Sequence, residues 1–144
     1  MFIKQLSVFV ENRQDALSKI ISLLSESGIN LRAVSIADTQ DFGVLRVIVN
    51  DIEKAKEKLK SSNVLVTAND VLGVKLSDEP GALAKVLELL SANGVNVEYL
   101  YAFVNPGTNK GAYLVLRASN NEKAEKILSE NSVPMLSEDE IAKM

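Results

Sequence analysis

One short segment of this sequence contains residue types suited to holding a small anion. Asp78, Glu79, Pro80 and Gly81 follow an apolar strand pattern and lead directly into an apolar helical pattern. Pro80 suits the first helical position, because its φ is already helical and its missing N–H would have no partner there. Gly81 offers a backbone N–H with no Cβ in front of it, at the positive end of the helix dipole. Two interpretations stay open: a site for a ligand carboxylate, or a Pro-Gly pair that only turns a strand into a helix.

Other kinds of site are excluded by composition. The sequence contains no Cys and no His, which excludes disulfides, thiolate metal ligands and Cys nucleophiles and removes the commonest general base. The neighbouring carboxylates of Asp78 and Glu79 need not converge on one substrate atom, and a capped or solvated turn explains them more simply. We therefore expect no catalytic residues, no metal site and no cofactor.

Length and charge restrict the class of protein further. The chain has 144 residues, of which 47% are hydrophobic and 24% charged, and a formal net charge of -3. These values are typical of a globular protein, and the acidic balance argues against a nucleic-acid partner. No apolar run approaches the ~20 residues of a membrane span, and the first residues do not resemble a secretory signal. We expect a cytoplasmic protein with no nucleic-acid or membrane partner.

The chain contains an internal repeat. Residues 16–31 align with residues 82–97 at a constant offset of 66, with identical Ala, Leu, Lys, Ser, Gly and Asn at matched positions. Further along, residues 53–55 match residues 122–124 at a larger offset, so the second copy has a longer connection around residues 105–109. Self-similarity at a fixed period indicates duplication. It predicts two domains, residues 1–69 and residues 70–144, called here the first and second repeat.

Each repeat has the periodicity of a β-α-β-β-α-β unit. The predicted strands, in chain order, are 6–10, 32–37, 44–49, 64–68, 72–76, 97–104, 112–117 and 133–136. Apolar stripes at 17–24 and 83–90 predict an amphipathic helix in each repeat, and further helices are predicted at 51–61, 121–131 and in a short tail at 137–144. Gly28 and Gly94 fall where a helix needs a left-handed residue at its end, and Pro134 indicates that the last strand is an edge or an end.

This order of elements predicts an α+β fold of two tandem ferredoxin-like modules, each an antiparallel sheet with its helices on one face. A unit of ~70 residues has a thin core by itself. We therefore expect the two repeats to pack together by joining sheet edges, which would hide exposed strands. Tyr99, Tyr101 and Phe103 alternate on one strand and are expected to pack on a sheet face or an interface, or to place one tyrosine beside a ligand.

The loop, the helix that follows it and the element order together resemble the ACT domain family, whose members are regulatory modules that bind amino acids. The resemblance covers nearly the whole chain as two modules, and its motifs are D-x-P-G-x-L at residues 78–83 and G-V-N-V at residues 94–97. It implies a free-standing regulatory pair that senses a free amino acid at an interface between modules. It also implies a homodimer and a regulated protein partner.

The resemblance also implies which residues contact the ligand. In the second repeat these are Asp78, Glu79, Pro80, Gly81, Ala82 and Leu83 of the loop. Asn96, which follows the helix, corresponds to a position that holds the polar groups of the ligand, and Asn30 is its counterpart in the first repeat. A structural role beside Gly28 and Gly94 is an equal alternative for both Asn residues, because Asn also suits turns.

The first repeat departs from this motif. It has Asn12, Arg13, Gln14 and Asp15 where the second repeat has Asp-Glu-Pro-Gly. Asp15 puts a negative charge at the helix start, where we expect its side chain to interact with the free N–H groups. Arg13 could instead pair with a ligand carboxylate. The loop containing Asn12 and Arg13 is thus either a variant site or an inactive one.

Other functions share this order of elements. An acylphosphatase-like hydrolase would use Arg13 to hold phosphate, but the first loop has no glycine and the second carries acids. RNA-recognition modules need strand aromatics in a basic context, which strand 44–49 lacks, and metal chaperones need Cys or His. The main alternative is a protein–protein interaction module that keeps the fold without a ligand.

Overall fold

The computed structural model describes residues 1–38, 41–104 and 111–144. Its strands are β1 (Ile3–Glu11), β2 (Leu31–Asp38), β3 (Phe42–Val49), β4 (Val66–Ser77), β5 (Val97–Ala102) and β6 (Gly111–Ala118). Its helices are α1 (Ala16–Glu26), α2 (Ile52–Ser61), α3 (Ala82–Ala92), α4 (Asn121–Glu130) and α5 (Glu138–Lys143). The predicted α+β order is confirmed. The longer connection expected around residues 105–109 lies outside the described residues.

The two repeats share one strand. The sequence predicted separate strands at residues 64–68 and 72–76, whereas β4 runs without a break through both. Its first half pairs antiparallel with β1, from Val66 opposite Val8 to Val71 opposite Ile3. Its second half pairs antiparallel with β6, starting at Leu72 opposite Leu116. The result is a six-stranded sheet in the order β2-β3-β1-β4-β6-β5. The domain boundary expected between residues 69 and 70 falls inside strand β4.

The middle of β4 contains Asn69 and Asp70, polar residues of types that are uncommon inside strands. The polar groups of Asp70 have hydrogen-bond partners from both repeats. Lys4 Nζ of β1 lies 2.5 Å from Asp70 Oδ1, and this hydrogen bond raises the pKa of Lys4. The carbonyl of Asp70 accepts bonds from Arg117 Nη1 at 3.3 Å and from Asn121 Nδ2 at 3.0 Å. Because these bonds pair the side chain and the carbonyl of Asp70 where β4 passes from one repeat to the other, the strand continues there instead of turning.

Helices α1 to α4 cover one face of the sheet, and the other face encloses a core to which α5 contributes. α1 and α2 pack on the first repeat, with Leu6, Val8 and Leu24 among the buried side chains. α3 and α4 pack on the second repeat in the same way. The opposite face curls until Ala33 of β2 forms a bridge with Phe103, which directly follows β5. The right-handed twist of strands produces such coiling.

The curled face holds an inner core built by both repeats. Its buried residues come from β1 to β6 and from the C-terminal segment, and they are Ile3, Ala33, Ile48, Val71, Tyr101, Phe103, Tyr113, Val115, Leu136 and Ile141. Tyr99 is partly buried against it. The expectation that the three alternating aromatics pack on a sheet face is confirmed.

The last strand of the second repeat is reduced to a bridge between Met135 and Val74. Lys75 N donates to the Pro134 carbonyl at 2.9 Å, and Leu136 N donates to the Gly73 carbonyl at 2.8 Å. Helix α5 follows, capped at its start by a reciprocal pair of bonds between Ser137 and Glu140. Both the shortened strand and the helical tail agree with the sequence prediction. No helix in the described ranges is long and apolar enough to cross a membrane.

A first prediction concerns the contact between β4 and the C-terminal segment. A Cβ added to Gly73 would lie 2.8 Å from Leu136 Cβ, too close for any side-chain rotation to relieve. We expect Gly73→Ala to lower the free energy of unfolding by about 1–3 kcal/mol, measured by urea denaturation. Gly43→Ala is the matched control in β3, because its added Cβ would meet Ile36 at an ordinary 3.4 Å. Equal stability of the two variants would contradict this packing.

A second prediction concerns the ion pair that holds α5 on β4. Lys75 Nζ lies 2.6 Å from Glu140 Oε1. This bond, followed by one from the Ser137 backbone, lowers the pKa of Glu140 from its ordinary 4.5. Because the pKa is lowered in the folded state, the pair stabilises α5 at neutral pH, and this contribution disappears as the pH falls through the folded pKa. In an NMR titration we expect Lys75→Met to raise the pKa of Glu140.

Lys85→Met is the control for that titration, since no bond joins Lys85 to Glu140 within the described ranges. It should leave the titration of Glu140 unchanged. A Glu140 pKa that is the same in the unaltered protein and in Lys75→Met would show that the ion pair does not exist in solution.

Candidate ligand-binding site

The loop between β4 and α3 forms a tight turn that ends on a left-handed glycine. Ala82 N donates to the Glu79 carbonyl at 3.2 Å, and Gly81 has φ 88° and ψ -6°. Pro at the second position and a left-handed Gly at the third are typical of a type II turn. The helix begins at Ala82, so the prediction that Pro80 is the first helical residue is wrong. The fixed φ of Pro80 stabilises the turn before the helix.

Gly81 leaves the start of α3 open. A Cβ built on it would meet nothing within 4 Å, so no neighbour fills this position, and the left-handed φ explains why glycine occupies it. The N–H groups of Gly81, Leu83 and Ala84 have no acceptor in the part of the chain that the structure describes. Unpaired amides at a helix start can bind an anion.

A small cavity adjoins this turn. Its volume is about 220 Å³, and its wall includes Glu79, Pro80 and Ala82 of the predicted site. The remaining predicted residues of the loop, Asp78, Gly81 and Leu83, are not part of that wall. Two lysines also line the cavity: Lys75, which is held by Glu140, and Lys85 on the first turn of α3.

The far side of the cavity comes from residues that the sequence analysis did not select. Ser132, Val133 and Pro134, which follow α4, complete the wall. They lie about 50 residues from the loop in sequence, and only the tertiary fold brings them there. Lys85 had a sequence signal, because the repeat alignment matches it with an identical Lys19.

The first repeat forms the same turn with different side chains. Ala16 N donates to the Arg13 carbonyl at 3.3 Å, and Asp15 is left-handed with φ 69°. We expected the Asp15 side chain to bond the free N–H groups of α1, but it makes no cap bond, so that prediction is wrong. A capping side chain reaches those groups from an extended backbone, and Asp15 does not have one.

Arg13 and Asn12 occupy the same first-repeat loop. Arg13 Nε lies 2.6 Å from Glu11 Oε2, and both side chains are largely exposed. Arg13 lines a cavity of about 420 Å³ beside α1. Asn12 is outside that wall and donates its backbone N–H to the Asp41 carbonyl at 3.0 Å.

Asn30 and Asn96 do not join the loops. Each follows a helix at the end opposite its loop, and α3, with 11 residues, separates Gly81 from Asn96 by about 16 Å. Asn30 accepts from the backbone N–H of Asn50 and donates its own N–H to Asn50 Oδ1. Asn96 likewise accepts from the backbone N–H of Ser119 and donates to Ser119 Oγ. These bonds join the start of one strand to the end of its neighbour.

The two loops leave the sheet at opposite ends of β4. The first-repeat loop follows β1 beside Val66, and the second-repeat loop follows Ser77. Eleven residue steps of a strand span about 36 Å. Within one chain the two turns therefore cannot contact the same small ligand.

Comparison with known proteins agrees with the repeat and the fold. A family model described as an ACT domain pair matches residues 1–144. A crystal structure of a Bacteroides thetaiotaomicron protein is 42% identical, with a TM-score of 0.91, over 100% of this chain and 98% of that one. The regulatory subunit of aspartate kinase from Thermus thermophilus, in its ligand-free form, superposes with a TM-score of 0.56 at 17% identity, covering 88% of this chain and 90% of the other.

A curated relative gives a weaker sequence match. The acetolactate synthase small subunit of Buchnera aphidicola is 25% identical over 116 residues, which are 81% of this chain and 72% of that protein. The duplicated β-α-β-β-α-β unit, the shared sheet and the match over the full sequence agree with one another. This chain belongs to the ACT domain family, a regulatory fold, as a tandem pair of such domains.

Proposed function

We propose that this protein is a regulatory, non-catalytic protein that binds a free amino acid at the turn before α3. One observation carries the proposal: left-handed Gly81 leaves unpaired amides at a helix start, with open space where a side chain would be. The α-carboxylate of the ligand binds these amides, assisted by the positive end of the α3 dipole.

The neighbouring cavity suits the rest of an amino acid. Lys85 adds positive charge near the carboxylate, and Glu79 supplies a negative group for the ammonium. The apolar wall from Val86, Val133 and Pro134 accommodates a side chain. A volume of about 220 Å³ is below the range of drug-sized ligand sites, which favours a small amino acid.

Binding changes how this chain interacts with a partner protein. The names of two relatives describe subunits, a regulatory subunit of aspartate kinase and a small subunit of acetolactate synthase. By analogy, the partner of this chain is a separate enzyme of metabolism. The ligand acts by favouring one arrangement of the modules over another.

An interface between modules at this site requires a second chain. Because the two loops lie at opposite ends of β4, a module that closes over the Gly81 turn must come from another copy. We therefore propose a homodimer. A cytoplasmic location stays a prediction. Asn30 and Asn96 contact the ligand only if the dimer brings them to the turn of the other chain.

A third prediction concerns ligand identity. In a thermal-shift panel of the twenty amino acids, a true ligand at 100 times its dissociation constant adds ~2.7 kcal/mol of stability. For a chain of this length, the melting temperature should rise on the order of 5–10 °C. A flat response across the panel would reject amino-acid sensing and favour the ligand-free interaction module.

A fourth prediction separates charge from shape at the turn. Gly81→Asp copies Asp15, which already adopts this conformation in the first repeat, and should weaken binding of the ligand found by the panel at least tenfold (~1.4 kcal/mol). Gly81→Asn is the matched control, because Asn tolerates the left-handed region similarly but adds no charge. By calorimetry, we expect Asn to weaken binding less than Asp. Unchanged affinity in Gly81→Asp would mean that the ligand binds elsewhere.

A further inference from the structure

The cavity beside the Gly81 turn has a counterpart in the first repeat. Applying the repeat alignment to the wall of the second-repeat cavity gives residues that line the first-repeat cavity, with one exception, Pro80, whose counterpart is Gln14. Even the left-handed residue after the second helix is repeated, with Asn63 at φ 60° and Ser132 at φ 58°. The cavity is thus a property of the duplicated unit, formed twice from diverged sequences.

The two cavities differ in size and in the chemistry of their rims. The first-repeat cavity is about 420 Å³ and the second about 220 Å³. Phe9 occupies the position of Lys75, and Leu65 occupies the position of Pro134. With these residues, the first-repeat cavity has a more apolar rim than the second-repeat cavity.

Three large apolar side chains at the rim of the first-repeat cavity are exposed to solvent. Phe9 is 42% exposed, Phe42 is 53% exposed and Leu65 is 66% exposed. Large apolar side chains gathered around one opening commonly mark a binding surface. A ligand whose apolar body covers these three side chains would remove that area from water.

Charged groups at the same cavity suit a zwitterion. Arg13 and Lys19 carry positive charge on the wall, and Glu11 carries negative charge. The Arg13–Glu11 pair is exposed, and exposed ion pairs are weak enough for a ligand carboxylate to replace one partner. The wall therefore offers a cation for the carboxylate, an anion for the ammonium and an apolar rim for the side chain.

We propose that the first-repeat cavity is a second ligand site, which takes an amino acid with a large apolar side chain. The second-repeat cavity takes a small one, so one chain responds to two chemically different ligands. This inference rests on the proposed amino-acid-binding function and adds the ligand class of the other repeat.

Calorimetry with phenylalanine as the probe tests the proposal on the full chain. Phe9→Lys gives β1 of the first repeat the residue that the second repeat has at the matching position, Lys75 of β4. It should weaken phenylalanine binding at least tenfold, because it removes the apolar rim. Ile36→Lys is the matched control: Ile36 is similarly exposed at 47% but lines neither cavity, so phenylalanine affinity should be unchanged. Leu65→Ser provides a second rim variant, with the same expected loss.

The outcomes distinguish this inference from the function on which it rests. If a small amino acid binds and phenylalanine does not, or if Phe9→Lys leaves phenylalanine affinity unchanged, the first-repeat site is wrong and the proposed function survives. If no amino acid binds, the proposed function fails and this inference fails with it. If Phe9→Lys changes the sedimentation mass instead of the affinity, the apolar rim is an interface between copies, and the second site is overturned.

Discussion

The hydrogen bonds along β4 position nearly every other part of this molecule. One half of this strand completes the sheet of the first repeat, and the other half starts the sheet of the second. Each repeat alone would have a thin core, as expected for a unit of ~70 residues. Sharing a strand converts two small sheets into one, and curling of that sheet adds an inner core to the two cores under the helices. The shared strand also places the turns before α1 and α3 at its opposite ends.

A polar layer fixes how the two repeats meet inside this sheet. Gln5 is fully buried, and its amide is satisfied from the other repeat: Nε2 donates to the Tyr99 hydroxyl at 2.9 Å, and Oε1 accepts from the Tyr101 hydroxyl at 2.6 Å. Burial raises the pKa of Tyr101, which keeps this hydroxyl a donor. Arg46 packs over the Tyr99 ring at 3.9 Å. Because an unpaired buried amide is costly, these bonds favour one arrangement of the repeats over others of similar apolar contact.

Duplication preserved backbone geometry more closely than side-chain chemistry at the two turns. Both turns end on a left-handed residue, which is Gly81 in one repeat and Asp15 in the other. Both adjoin a cavity at the same position, with a lysine of the first helical turn in its wall. The side chains around these cavities differ in size and charge, so the same backbone surrounds two chemically different cavities.

The sequence by itself determined the repeat, the order of its elements and the turn at residues 78–81, because these depend on local periodicity and on glycine and proline. The family resemblance also followed from those local motifs. The sequence did not reveal that the strands predicted at 64–68 and 72–76 form one strand, β4. The continuity of that strand at Asp70 depends on partners as distant in sequence as Lys4 and Arg117. Two local predictions were also wrong: Pro80 as the first helical residue and the Asp15 side chain as a cap. Both depend on the φ of the residue directly before the helix, which is left-handed in each repeat. Tertiary packing alone decided that residues 132–134 line the second-repeat cavity and that Asn96 lies far from the loop, because no local pattern relates these segments to one another.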